Sequence, residues 1–184
     1  MKKLLFAAFA ILITLNARAS FVFSDIPWNA PGEVVVKKLK DAGFKQVKKD
    51  KKSGDYSFRG DLLGHDAAGM AMFAQGRLVR VIVMLTTPEE TIHETYSQVR
   101  QVLLNKYGKP VQTLAQFVEP FHQGDGYESE AIRSGKAIFL TQWSDDDQQL
   151  TVNITSGLMV GVAYDSPGWP AELERRKSKG SAAF

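Results

Sequence analysis

Lysines crowd one short segment of the chain, and their charge is the first feature that could bind a ligand. Between residues 37 and 52, eight lysines stand against two acids, an excess of six positive charges. Such an excess attracts an anionic surface or an acidic protein. A solvated helix face that runs into a loop would carry the same lysines without any partner. The residues predicted to contact a partner are Lys45, Lys48, Lys49 and Lys51.

A loop with glycines and acids is the second candidate binding feature. Residues 124–130 read Gly-Asp-Gly-Tyr-Glu-Ser-Glu, and a flexible acidic loop of this kind can form the lip of a binding site. Asp125, Tyr127 and Glu128 are its candidate binding residues, and an exposed irregular loop is the alternative. Trp169, between prolines, is either an aromatic anchor for a partner or a residue at the rim of the core.

Residue patterns for metal binding and nucleophilic catalysis are missing from the sequence. His65, His93 and His122 have no metal-ligand spacing, and zinc needs three or four convergent ligands. The acidic run 145–147 lacks the alternating oxygens of a calcium loop. There is no cysteine and no serine-nucleophile or phosphate-binding glycine motif. We therefore predict neither metal nor cofactor. Catalysis by dispersed carboxylates stays open.

Residues 1–19 have the pattern of a cleavable signal peptide. Two lysines precede an apolar stretch from Leu4 to Leu15, and Ala17 and Ala19 supply the small residues of a cleavage site after Ala19. The prediction is a periplasmic or secreted protein without a transmembrane anchor. The segment holds three basic residues and no acid, so the remaining chain has 20 of each sign. Binding to nucleic acid through overall basicity is therefore not predicted. Without cysteine the fold has no disulfide, which a core of this size permits.

The hydrophobic pattern predicts an α+β domain over residues 20–170. A helix over about 31–42 ends at Gly43, and a second begins at Pro88 and ends at Gly108. The remainder reads as strands, including one from Ala131 to Trp143. The predicted order is one helix, three strands, a second helix and three or four strands. They form an antiparallel sheet of about six to seven strands with two helices on one face. Residues 48–55 are predicted to be a loop, and 171–184 a flexible tail.

Three short motifs support a resemblance. They are Asp25-Ile26-Pro27-Trp28 before the first helix, Gly43-Phe44 after it, and Tyr107-Gly108-Lys109-Pro110 after the second helix. In these the chain resembles small exported proteins of Gram-negative bacteria, whose function is mostly unassigned. The alternation of a helix with several strands is similar to the layout of TATA-binding-protein-like α+β domains. This likeness of layout implies no DNA binding, and it carries no catalytic residue over to this chain.

These features favour a non-catalytic binding or inhibitory module that acts on another envelope component. The absence of a catalytic set supports it, together with the lysine-rich segment and the acidic loop. One alternative is a periplasmic hydrolase that uses dispersed carboxylates, which requires two carboxylates close together in a cleft. Another is an envelope protein that binds a lipid or small ligand in an apolar cavity.

Overall fold

The computed structural model describes residues 20–181 as an α+β domain with eight strands and four α-helices. The predicted signal peptide lies outside the described residues. In chain order the elements are α1 (Gly32–Asp41), β1 (Lys45–Lys49), β2 (Tyr56–Leu62), β3 (His65–Ala74), β4 (Arg77–Thr86), α2 (Ile92–Tyr107), β5 (Gln112–Phe117), α3 (Glu128–Arg133), β6 (Ala137–Asp145), β7 (Gln148–Ile154), β8 (Val160–Asp165) and α4 (Trp169–Ser181).

The strands form one antiparallel sheet in the order β1-β2-β3-β4-β8-β7-β6-β5. Each half of the chain contributes a helix followed by four strands that pair with their sequence neighbours. The last strand of each half meets the other at the centre, where Val83 lies opposite Val162. The topology is therefore repeated, and β1 and β5, the first strands of the halves, form the two edges.

The hydrophobic core lies between the sheet and the first two helices. Alternate strand residues such as Val83 and Val162 are fully or almost fully buried, together with Val35 and Leu39 of α1 and Val99 of α2. Since side chains alternate across a strand, the residues between them face away from these helices. On that opposite face the side chains are only partly covered, and Met70 is 42% exposed.

The prediction of six to seven strands missed β1, whose last two residues fall in the stretch 48–55 that was predicted to be a loop. Its only partly buried residue is Val47, which packs against the core, while the lysines around it are exposed. Pairing with β2 defines this strand, since Lys48 lies opposite Ser57 and Lys49 opposite Tyr56. A polar edge strand carries a weak sequence signal because little of its surface is buried.

The prediction of two helices was wrong at two places. Residues 128–133 form α3, where the end of the acidic loop and the start of a strand from Ala131 were predicted, and that helix buries Ala131 and Ile132. Residues 169–181 form α4, where a tail was predicted after residue 170. Glu172 of α4 is almost completely buried and accepts hydrogen bonds from Arg175 and Arg176. Within residues 20–181 no helix has the length and apolarity required to cross a membrane.

Candidate functional site

A cleft of about 390 Å³ opens between α2 and the edge of the sheet formed by β5 and β6. We call it the α2–β5 cleft. The loop that precedes α3 closes one end, and the volume lies within the range of small-ligand sites. Its lining combines an apolar floor with polar and charged side chains, namely His93, Tyr96, Ser97, Arg100, Thr113, Leu114, Ala115, Phe117, Gln123, Glu128 and Phe139.

The position of α2 on the sheet creates this cleft. The buried stripe of the helix includes Tyr96, Val99 and Leu103, and the helix packs over β7 and β8 rather than over the edge. Thr113 and Ala115 of β5 consequently remain exposed. His93, Ser97 and Arg100 follow one another at helical spacing, so they line one side of α2 beside the buried stripe.

Aromatic rings form the floor at the end of the cleft near the start of α2. The rings of Phe117 and Phe139 meet edge to face, with centroids 5.6 Å apart. The imidazole of His93 lies against the same Phe139 ring at 4.6 Å. Such a floor favours an apolar or aromatic group of a ligand, because aromatic pairs gain energy beyond simple burial.

Two nitrogen atoms in the cleft wall lack partners. The Nε2 atom of His93 and the Nε atom of Arg100 are shielded from solvent but make no hydrogen bond with any residue of 20–181. Arg100 also forms no ion pair within that part of the chain. Buried polar groups in proteins normally have partners. A guanidinium without one, beside an apolar floor, suits a ligand with an anionic group.

A buried hydroxyl pair supports the same wall from below. The Tyr96 hydroxyl lies 2.7 Å from Oγ1 of Thr141, which is fully buried in β6. Burial raises the pKa of the Tyr96 phenol above its ordinary value, although the Thr141 hydrogen bond and the charge of Arg100 act in the opposite direction. This hydrogen bond joins α2 to β6 and so sets the distance across the cleft.

The acidic loop contributes one of its three predicted binding residues to the cleft. Glu128, which is the first residue of α3 in the structure, lines the cleft, and its Oε1 atom accepts a hydrogen bond from the Gly124 N–H at 2.7 Å. Asp125 instead holds the loop together by accepting from the N–H groups of His122 and Tyr127, both at 2.8 Å. These hydrogen bonds lower the pKa of Asp125. Tyr127 is exposed and does not line the cleft.

The predicted lysines lie in β1 and in the turn after it, at the opposite edge of the sheet. Lys45 lines a groove of about 470 Å³, and Lys48 lines an adjoining one of about 250 Å³. Lys49 points its amino group at the Tyr56 ring instead, 5.6 Å from the centroid. Lys51 lies in the turn after β1. Lys48 and Lys49 are consecutive in the edge strand, so their side chains point to opposite faces of the sheet.

The larger groove contains a pair of carboxylates, the arrangement that the hydrolase alternative requires. Asp61 of β2 lies directly opposite Asp66 of β3, and both line the groove together with Lys45 and Arg59. Both acids are exposed, and Asp61 already accepts a hydrogen bond from the Gly64 N–H. A general acid at neutral pH needs a shielded carboxyl. The groove is solvated and contains charges of both signs, so it is a weak candidate for a catalytic site. The α2–β5 cleft is the stronger candidate for a functional site, as a site that binds a ligand.

Trp169 lines neither the α2–β5 cleft nor the two grooves at the β1 edge, and its contacts are with other residues of this chain. It is 6% exposed, and the Arg80 guanidinium stacks on its ring at 4.4 Å from the centroid. The Arg176 guanidinium lies 5.9 Å from the same ring. These contacts attach the start of α4 to the face of the sheet opposite the core.

Within residues 20–181 no group of three or more histidine and acidic side chains is placed to hold a metal ion. Comparisons with family models, with curated proteins and with solved structures find no match to this chain. Sequence reasoning considered His93 only as a metal ligand and missed Arg100. The available signal was the spacing of His93, Ser97 and Arg100 beside the apolar stripe of α2.

Proposed function

We propose that the protein is an exported, non-catalytic binding module that recognises another envelope component through the α2–β5 cleft. Its ligand carries an anionic group next to an apolar or aromatic group. One observation carries the proposal: the Arg100 guanidinium borders an apolar floor, and its Nε atom is shielded and has no partner. Export rests on the signal-peptide pattern of residues 1–19.

The charges around the cleft set the expected order of ligand affinities. Arg100 favours a carboxylate, sulfonate or phosphate, and a guanidinium binds planar anions with two parallel hydrogen bonds. Glu128 lies in the same lining, so a second negative charge of a ligand should point away from it, toward solvent. The floor of Phe117 and Phe139 favours apolar carbon beside the anion. Anionic amphiphilic groups are therefore the expected class.

Fluorescence titration tests the proposal with two dansyl probes of different charge. Dansylglutamate carries anionic groups beside an aromatic ring system, and dansylamide carries the same rings without charge. We expect the Arg100→Gln variant to bind dansylglutamate about tenfold more weakly, because a hydrogen bond to a charged group is lost. Dansylamide binding should change little. Arg59→Gln is the matched control, since it removes an arginine that lines the grooves at the other edge.

Equal dansylglutamate affinity for the Arg100→Gln variant and the unmodified protein would refute the cleft as the anion site. A selective loss in the Arg59→Gln variant would assign the anion to the lysine-bearing edge instead. The export part of the proposal has its own test. Protein released from the periplasm by osmotic shock should begin at Ser20 on N-terminal sequencing.

A further inference from the structure

The two edges of the sheet differ in how well they are protected against pairing with another chain. β1 carries Lys45, Lys48 and Lys49, and its register with β2 is irregular between Lys45 and Lys48. Edge lysines and bulges of this kind discourage the addition of a strand. β5 has no charged residue and keeps a regular register with β6 from Gln112 to Phe117. One edge is therefore protected, and the other is open.

The backbone of β5 presents free hydrogen-bonding groups along this open edge. The Val118 N–H donates to the carbonyl of Lys136 at 2.8 Å, so the backbone groups of Val118 point toward β6. Residues two apart in an antiparallel strand bond to the same side. The N–H and C=O groups of Thr113, Ala115 and Phe117 therefore point away from β6. No residue of 20–181 forms a backbone hydrogen bond with them outside the sheet.

The side chains of the same residues belong to the cleft. Thr113 lies opposite Thr141, and Phe117 lies opposite Ala137, and both partners are buried on the core side of β6. Thr113, Ala115 and Phe117 therefore share the face that carries the cleft floor. An extra strand beside β5 would extend this floor outward, and alternate side chains of that strand would point into the space next to α2.

We propose that the ligand of the cleft is an extended segment of another polypeptide that pairs with the free edge of β5. This inference rests on the proposed function and specifies its ligand. Strand addition supplies affinity through main-chain hydrogen bonds and specificity through pockets for alternate side chains. An apolar side chain of the segment lies near Phe117 and His93. An acidic side chain on the same face of the segment reaches Arg100.

Charge complementarity favours such a segment over a second copy of this chain. If two copies paired through β5, each would offer the other only the residues Gln112–Phe117, and none of these is acidic. The Arg100 guanidinium would still lack a partner. An acidic segment provides that partner and pairs with the backbone in the same step.

Two substitutions at Ala115 distinguish the loss of a backbone hydrogen bond from a change in the shape of the edge. Ala115→Pro removes an N–H that points away from β6, and proline is tolerated at edge strands in that orientation. Ala115→Val adds comparable bulk and keeps the N–H. The probe is a phage-displayed library of random peptides of about ten residues, long enough for a typical strand. The library is selected on the full-length protein, and enriched peptides are then titrated as synthetic compounds.

We expect enriched peptides to combine an acid with an apolar residue an even number of positions away. Their affinity should fall about tenfold or more with Ala115→Pro, because a main-chain hydrogen bond is lost, and much less with Ala115→Val. Binding should also slow amide hydrogen exchange at Thr113, Ala115 and Phe117. Strand addition would be overturned if no peptide is enriched or if the two Ala115 variants bind the peptides equally well. It would also be overturned if sedimentation shows a dimer that Ala115→Pro abolishes, because the free edge would then pair with a second copy. If Arg100→Gln still weakens the binding of dansylglutamate, strand addition is wrong but the proposed function is not contradicted.

Discussion

Arg176 of α4 and Asp55, just before β2, form a bidentate ion pair. The Nη1–Oδ2 distance is 2.7 Å and the Nη2–Oδ1 distance is 2.9 Å. The same guanidinium donates to the Phe73 carbonyl at 3.0 Å, while Asp55 accepts from the Phe73 N–H at 2.9 Å. Glu172, one turn earlier in α4, is a further acceptor. One arginine therefore attaches the C-terminal helix, α4, to β3 and to the start of β2.

Replacement of Arg176 by alanine should destabilise the fold. Asp55 and Glu172 have side chains only 6% and 3% exposed, so the change leaves two shielded carboxylates without this partner. We expect the free energy of unfolding to fall by about 3 kcal/mol in urea denaturation, as for other broken buried pairs. Lys177→Ala is the control, because its pair with Glu174 is exposed and should contribute less than about 1 kcal/mol. Equal losses in the two variants would contradict the role given to Arg176.

The same cluster should make stability depend on pH in the acid range. Hydrogen bonds from Arg175, and secondarily from Arg176, lower the pKa of Glu172 below its ordinary value of 4.5. A lowered carboxyl pKa stabilises the folded state above the ordinary value, and this contribution is lost as pH falls through the lowered pKa. The free energy of unfolding should therefore fall on acidification below 4.5. Glu172→Gln should remove part of this slope in urea denaturation at a series of pH values, and an unchanged slope would contradict this role of Glu172.

A double-mutant cycle tests the hydroxyl pair beneath the cleft. Tyr96→Phe leaves the fully buried Thr141 hydroxyl without its Tyr96 partner, and we expect a loss of ~1–2 kcal/mol in the free energy of unfolding. Adding Thr141→Val removes that unpaired group and should recover much of the loss. Strictly additive effects of the two changes would show that the hydroxyls are not coupled.

Neutralising the edge lysines should change self-association rather than ligand binding. A triple Lys45, Lys48 and Lys49→Gln variant loses the charges that protect β1, so sedimentation velocity should detect dimers or larger species. The triple Lys37, Lys38 and Lys40→Gln variant removes the same charge from α1 and should remain like the unmodified protein. If the β1 variant shows no new association but loses dansylglutamate binding, the lysines carry the anion site.

Elements with a strong local pattern were predictable from the sequence. The apolar stripe of Tyr96, Val99 and Leu103 and the stop at Gly108 indicate α2 without any tertiary information, and the structure confirms that helix. α4 was missed because its apolar content is low and a salt bridge from Arg176 to Asp55, far away in sequence, holds it in place. β1 was missed because pairing with β2, and not burial, defines it.

The candidate site was only partly predictable for a similar reason. The acidic loop drew attention to Glu128, which lines the cleft. Arg100 looked like any other surface cation in the sequence. Its significance depends on the displacement of α2 toward β7 and β8, which leaves the floor at Phe117 uncovered. Lateral placement of a helix on a sheet results from packing of the whole core, and residue spacing does not encode it locally.

NMR mapping can locate the bound anion and show whether it lies in the α2–β5 cleft. Amide chemical shifts of the isotope-labelled protein would be followed during titration with dansylglutamate. If the anion binds there, the largest changes occur at Ser97, Arg100, Ala115 and Gln123, all in the cleft lining. Changes centred on Lys45, Arg59 and Asp66, which line the groove at the other edge, with the cleft signals unmoved, would contradict it.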